Sequence, residues 1–127
     1  MNNPAHLKYT ASHEWADLVG EGEAVVGLTD FAQHALGDIV FVSLPQVGDS
    51  VTSGQVLGEV ESVKSVSEVM SPVSGTVLAV NDEVAGDPAR VNTHPYDAWL
   101  VRLGDVTETG ALLDAAAYAA LCQEQDS

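Results

Sequence analysis

The sequence predicts a mainly β fold, a small sandwich or barrel of short antiparallel strands, and three observations carry that expectation. Valine occurs 19 times in 127 residues, and β-branched side chains lose rotamers in a helix but pack well on a pleated surface. Turn signals recur at about 8–12-residue spacing through the middle of the chain, the rhythm of short strands joined by tight loops. Apolar residues make up 46% of the chain and aromatic residues 6%, so the core is aliphatic. The length fits one domain within the usual span of about 100–200 residues. A single domain over residues 1–127 is expected, with 1–28 as an N-terminal extension and first strands, 38–103 as the hairpin-bearing β-sandwich and 107–122 as a C-terminal helix.

Each element has its own reason. Residues 6–15 mix large and polar side chains around Thr10-Ala11-Ser12, which suits an extended piece. Glu21-Gly22-Glu23 is a turn, and 24–28 is a short buried strand. Thr29 or Asp30 caps a helix, Gln33 follows Asp30 at capping-box spacing, and Gly37 ends it because glycine takes the left-handed cap freely. Residues 38–44 are apolar on both alternating faces, as a strand packed on two sides is. Short strands are expected at 50–52, 56–62, 65–70 and 76–81. A surface loop over 82–97 holds a short strand at 89–92, and 99–103 is the last strand. From Thr107 the composition turns to alanine and leucine, with Leu113, Ala116, Ala117, Ala120 and Leu121 on one helical stripe and Asp114 available as a cap.

Charge excludes whole classes of partner. Nineteen Asp and Glu against four Lys and Arg give a formal −15, so neither nucleic acid nor an anionic membrane surface is expected to bind. Only Lys8, Lys64, Arg90 and Arg102 are cationic. The lone Cys122 excludes an internal disulfide and a multi-cysteine metal site. No apolar run reaches the length of a membrane span, and the start Met-Asn-Asn-Pro-Ala-His carries no signal or transit pattern, so a soluble bacterial-type cytoplasmic protein is expected.

Lys64 stands where two alternating segments meet, at Val63-Lys64 within Glu61-Ser62-Val63-Lys64-Ser65-Val66-Ser67-Glu68. That places an ammonium at a hairpin tip, in water, on a rigid base. The tip lacks the Asn-Gly or Asp-Gly that two-residue turns prefer, so something other than turn propensity selects its residues. An isolated turn lysine is ordinarily a solvated one. A lysine so placed also suits a swinging-arm prosthetic group, whose base must be fixed while the arm sweeps between partners.

The order of motifs resembles the H proteins of the glycine cleavage system, which are lipoyl carriers. Lys8-Tyr9-Thr10 with His13-Glu14-Trp15, then Val26-Gly27-Leu28-Thr29 leading to Ala32-Gln33 and Leu36-Gly37-Asp38, are similar to that family's opening. Val40-Phe41-Val42, Leu44-Pro45, Val47-Gly48, Ser71-Pro72-Val73-Ser74-Gly75, Val80-Asn81, Asn92, Pro95-Tyr96 and Trp99-Leu100 continue it collinearly, and Glu61-Ser62-Val63-Lys64 resembles its lipoylation motif. The resemblance implies a barrel-sandwich hybrid, lipoic acid in amide linkage on Lys64, and Glu61, Ser62, Val63 and Ser65 as the tip read by a lipoate ligase or lipoyl transferase. It implies three further partners: a glycine decarboxylase that loads an aminomethyl group, an aminomethyltransferase that removes it, and a dihydrolipoamide dehydrogenase that reoxidises the dithiol. The chain itself is then a carrier without catalysis of its own, the chemistry belonging to the cofactor. A loaded arm is expected to fold into a cleft that keeps water away, and Glu14, with Ser12 beside it, is the candidate carboxylate to meet the arm's amine. Pro95-Tyr96-Asp97-Ala98-Trp99 departs from the family by one missing residue and by lacking its glycines.

Other readings are weaker. An H-like relay that carries lipoyl or octanoyl groups toward the 2-oxoacid dehydrogenases shares the lysine. A biotin carrier is disfavoured, because Val63-Lys64-Ser65 lacks the methionines that flank a biotinyl lysine. His6, His13, His34 and His94 have no metal-ligand spacing, Cys122 has no basic neighbour or resolving cysteine, and no G-x-S-x-G or phosphate-binding glycine motif is present.

Overall fold

A computed structural model describes residues 3–126, so Met1 and Asn2, part of the segment read for a targeting signal, lie outside the described residues. Among the described residues nine strands and four helices follow in order: β1 Lys8–Tyr9, β2 Glu14–Val19, β3 Glu23–Leu28, α1 Asp30–Leu36, β4 Ile39–Ser43, β5 Ser50–Val51, β6 Val56–Ser62, β7 Val66–Met70, β8 Val73–Val80, α2 Asp82–Gly86, α3 Arg90–Thr93, β9 Val101–Thr109 and α4 Ala115–Asp126. A six-stranded sheet has the order β1-β2-β3-β9-β8-β5, and a three-stranded sheet the order β4-β6-β7. All pairings are antiparallel. The mainly β, sandwich-like expectation holds.

The main core lies between the sheets. Val26, Val73, Val77, Val101 and Leu103 from the larger sheet meet Ile39, Val42, Leu57, Val60 and Val69 from the smaller. Valine's stiff χ1 suits this interleaving, since few rotamers are lost on burial. A second cluster gathers Leu7, Tyr9, Trp15 and Tyr118, with Tyr9 and Tyr118 stacked at 4.6 Å between ring centroids. Gly27 makes room for it: a Cβ there would stand 2.5 Å from the Trp15 ring. That close approach is why a residue without a side chain sits in the strand.

Several boundaries differ from the expectation. The segment 82–97 carries two short helices, and residues 90–93 are helical instead of a strand. Only Val91 of that turn is buried, and one apolar residue in four positions cannot separate a period of 2 from one of 3.6. The last strand continues through its polar end to Thr109, because Thr109 pairs with Val73 and Glu108 with Ser74. The C-terminal helix consequently starts at Ala115, not at Thr107, with the Asp114 carboxylate accepting from the Ala117 amide at 2.8 Å. Leu113 bridges Tyr9 instead of joining the helix. The helix buries Tyr118, while Ala116, Ala117 and Ala120 are exposed; the ring offers more apolar surface than the alanine methyls, so it sets the buried face. Strand β4 is buried on one side only. Phe41 is 46% exposed on the outer face of the three-stranded sheet, which no further layer among the described residues covers.

Candidate carrier lysine and arm cleft

The hairpin β6–β7 carries Lys64 at its tip. Its loop is three residues, Val63, Lys64 and Ser65, closed by the Ser62 amide donating to the Ser65 carbonyl at 2.8 Å. Ser62 also supplies the turn chemistry that the tip lacked by composition. Its hydroxyl oxygen accepts from the amides of Lys64 at 3.3 Å and Ser65 at 3.1 Å, a serine turn in place of a glycine. From the side, the Val63 amide donates to the Asp38 carbonyl at 3.0 Å, which fastens the tip to the entry of β4.

That entry is itself held. Asn92 donates to the Gly37 carbonyl at 2.8 Å and to Gln33 at 3.0 Å, and accepts from the Ile39 amide at 2.9 Å. Thr29 caps α1 by accepting from the Ala32 amide at 3.1 Å, while Gln33 donates to the Asp30 side chain at 2.7 Å instead of reaching back to the cap's backbone. Gly37, at φ 82°, closes the helix, and a Cβ on it would stand 3.5 Å from Lys64 Cε. The stem of the lysine therefore lies over a residue with no side chain.

Around the lysine the surface is apolar with acidic rows. Val63 is 70% and Val66 60% exposed. The register sets Phe41, Glu61 and Val66 in one row and Ser43, Glu59 and Glu68 in the next. Lys64 has no ion-pair partner among the described residues, whereas Arg90 and Arg102 pair with Glu83 and Glu23 at 3.2 and 2.6 Å.

Glu14 and Ser12 are brought together as expected. Glu14 is 1% exposed. One of its carboxylate oxygens accepts from the hydroxyls of Ser12 and Thr10, each at 2.6 Å, and the other accepts from the Met70 amide at 3.3 Å. Burial pushes the carboxyl pKa up, and the hydrogen bonds from Ser12, Thr10 and Met70 pull it back. The group lines an open cleft of about 190 Å³ with Thr10, Ser12, Met70, Ser71 and Pro72. Every buried side-chain nitrogen or oxygen among the described residues has a partner, so this carboxylate is held, not stranded.

Thr10, Met70, Gly37 and Asn92 were not named as site residues by sequence reasoning, although Gly37 was read as the helix cap. Thr10 carried a readable signal, a hydroxyl two residues before Ser12 and four before Glu14. Met70 and Asn92 bond across the fold and carried none. Trp15 is core and donates to the Pro95 carbonyl at 3.0 Å, while Trp99 is half-buried beside a separate cleft with Tyr96 and Asp97. No group of three metal-ligating side chains is found among the described residues, and no helix is long and apolar enough to cross a membrane.

A two-sheet base that presents an exposed lysine at the tip of β6–β7, with a buried carboxylate lining a cleft at Met70, the far end of β7, is the architecture of the swinging-arm carrier class. The glycine cleavage H-protein family model matches residues 7–125. The chain is 50% identical to the glycine cleavage system H protein of Acidobacterium capsulatum, over 98% of each chain. It is 54% identical to that of Micrococcus luteus, over 91% of this chain and 94% of the relative. The crystal structure of the H protein from Mycobacterium marinum superposes with a TM-score of 0.89 at 43% identity, over 97% of this chain and 99% of the other. The chain belongs to the glycine cleavage H-protein family, whose members are the lipoyl carriers of the glycine cleavage system.

Proposed function

We propose that Lys64 is the attachment point of a lipoyl group and that this chain works as a non-catalytic shuttle among the other components of the system. The exposed, unpaired lysine at a hydrogen-bonded hairpin tip carries the reading. Lipoic acid supplies a reducible disulfide on a long tether; everything else falls to the protein. The residues present fit such a group: Nζ is free for amide formation, Gly37 leaves the stem unobstructed, and Ser62 holds the loop so that a ligase or transferase meets one tip shape. Glu61, Val63 and Ser65 flank the lysine and are the side chains such an enzyme would touch first.

Glu14 and Ser12 are the arm-docking residues in this reading. A carboxylate held by three donors is a preorganised partner for the ammonium of a loaded arm, and its low-dielectric setting strengthens that attraction. The partners are a glycine decarboxylase, an aminomethyltransferase and a dihydrolipoamide dehydrogenase, and the compartment is the cytoplasm. The acidic rows beside Lys64 favour partners that present basic side chains.

Intact and peptide mass spectrometry of the protein from its own cells, with Lys64→Arg as control, tests the reading. One lipoyl adduct on Lys64, absent from the variant, is expected. A biotinyl adduct, an adduct on Lys8, or none after treatment with lipoate ligase, ATP and lipoate overturns it.

A further inference from the structure

The turn that delivers Ser12 and Glu14 to the cleft is held from outside the cleft. The chain reverses between β1 and β2 through residues 10–14, with the Thr10 amide on the Glu14 carbonyl at 3.0 Å and the His13 amide on the Thr10 carbonyl at 3.1 Å. The reversal needs His13 at φ 74°, in the left-handed region that residues other than glycine seldom occupy, histidine being among the more tolerant. Such a conformation persists where its surroundings over-determine it. Here the surroundings are helical.

The His13 ring stacks on Phe31 of α1 at 4.5 Å. Its Nε2 lies 2.7 Å from the Gln125 side-chain oxygen, and its Nδ1 lies 2.7 Å from the Tyr118 hydroxyl, both on α4. With the imidazole neutral, one proton arrangement satisfies these contacts. Gln125 Oε1 only accepts, so Nε2 donates; Nδ1 then accepts from Tyr118, whose oxygen accepts from the Thr29 hydroxyl at 2.7 Å, and Thr29 in turn accepts the Ala32 amide. One directed chain of hydrogen bonds thus runs from the end of α4, through His13, to the cap of α1. Burial holds that ring below its ordinary pKa, against the opposing effect of the hydrogen bond that Nε2 donates to Gln125.

We propose that His13, Tyr118 and Gln125 form a positioning strut for the arm cleft: the C-terminal helix holds His13 in the left-handed conformation, and that backbone angle sets the Ser12 hydroxyl against the Glu14 carboxylate. The inference rests on the reading that Glu14 receives the arm. It assigns α4 a task beyond covering the aromatic cluster, because Gln125 is exposed and adds nothing to apolar burial. Its contribution is the hydrogen bond to His13.

Isotope-labelled, unlipoylated protein tests the strut without any turnover. The Met70 amide and the Glu14 side-chain carbon are followed by NMR through an acid titration in wild type, His13→Ala, His13→Asn and Gln125→Leu. In His13→Ala the Glu14 midpoint is expected to shift, because the burial that raises it and the Ser12 hydrogen bond that lowers it are both lost, and the Met70 amide to lose its dependence on that titration. His13→Asn, which tolerates positive φ, restores both in part. Gln125→Leu moves them in the same direction by less, and keeps the test valid if His13→Ala does not fold. With the arm loaded, its hydrolysis is expected to be several-fold faster in His13→Ala, while the rate of Lys64 lipoylation stays at the wild-type value. A Glu14 midpoint and Met70 signal unmoved in both His13→Ala and Gln125→Leu overturn the strut, whatever Glu14 does. A loaded-arm lifetime unmoved in Glu14→Gln, with the midpoint shifts present, overturns the docking reading instead and leaves the strut a purely structural one.

Discussion

The Lys64 tip and the Glu14 cleft are built on opposite principles. The tip is mostly local: Ser62 bonds to residues two and three positions away, and the Val63 amide ties the loop to the Asp38 carbonyl outside the hairpin. The cleft is assembled from afar. Met70 meets Glu14 across 56 positions, and the turn that carries Glu14 is tied through His13 to Gln125 across 112. In the proposed function the tip is a site that enzymes seize, which gains from being a self-contained, solvated projection, whereas a cleft that shelters the arm needs walls from several elements. The two differ in dielectric setting as well, since the lysine stands in water and the carboxylate is buried.

That contrast yields predictions of decreasing size. Asn92→Ala removes the three hydrogen bonds beneath the tip, at about 1 kcal/mol each for typical intramolecular bonds, so a loss of about 2–3 kcal/mol is expected in chemical unfolding. Lys64 should still be lipoylated at saturating ligase; failure to accept the arm would show that the tip is not local after all. Ser62→Ala strips the loop of its internal acceptor, and a cost of about 1 kcal/mol follows, together with a higher ligase KM and little change in kcat.

Acid unfolding separates His13 from Glu14 by sign. The His13 pKa is lowered by burial, so its contribution to stability is complete above the unfolded-state value and is lost as pH falls through the folded one. The Glu14 pKa is raised by burial, so its contribution is complete below the unfolded-state value and is lost as pH rises through the folded one. Thermal melts from pH 8 to 4 should therefore show His13→Asn flattening the acid-side decline and Glu14→Gln flattening the rise toward low pH. The reverse assignment would break the account of either site.

The smallest effect concerns the acidic rows. Glu59→Gln with Glu68→Gln should leave stability within about 0.5 kcal/mol, as surface substitutions do, yet weaken the salt dependence of binding to a purified partner enzyme. An unchanged salt slope would remove those acids from the docking surface.

Legibility followed the range of the interactions. The hairpin, the Thr29-to-Gly37 helix and most strand positions were readable, because alternation and capping act over two to four residues. Glu14 with Ser12 was nominated through family resemblance, not through geometry, and the hydroxyl of Thr10 at the same oxygen went unnoticed. The helical turns at 82–86 and 90–93 were missed because pieces of four or five residues carry no period. The exposed face of β4 was misread as buried, since apolar side chains on both sides of a strand do not reveal whether a second layer exists.

By itself the sequence determined a valine-rich β scaffold with one lysine at a hairpin tip and too few cations to engage a polyanion, all consequences of composition and near-neighbour patterning. Only the tertiary structure decided that Glu14 is buried and bonded by the Met70 amide, that Asn92 holds the entry of β4 beneath the lysine, and that α4 reaches back to His13. Those facts depend on which elements pack together, and chain separations of 53 to 112 residues leave no local trace of such contacts.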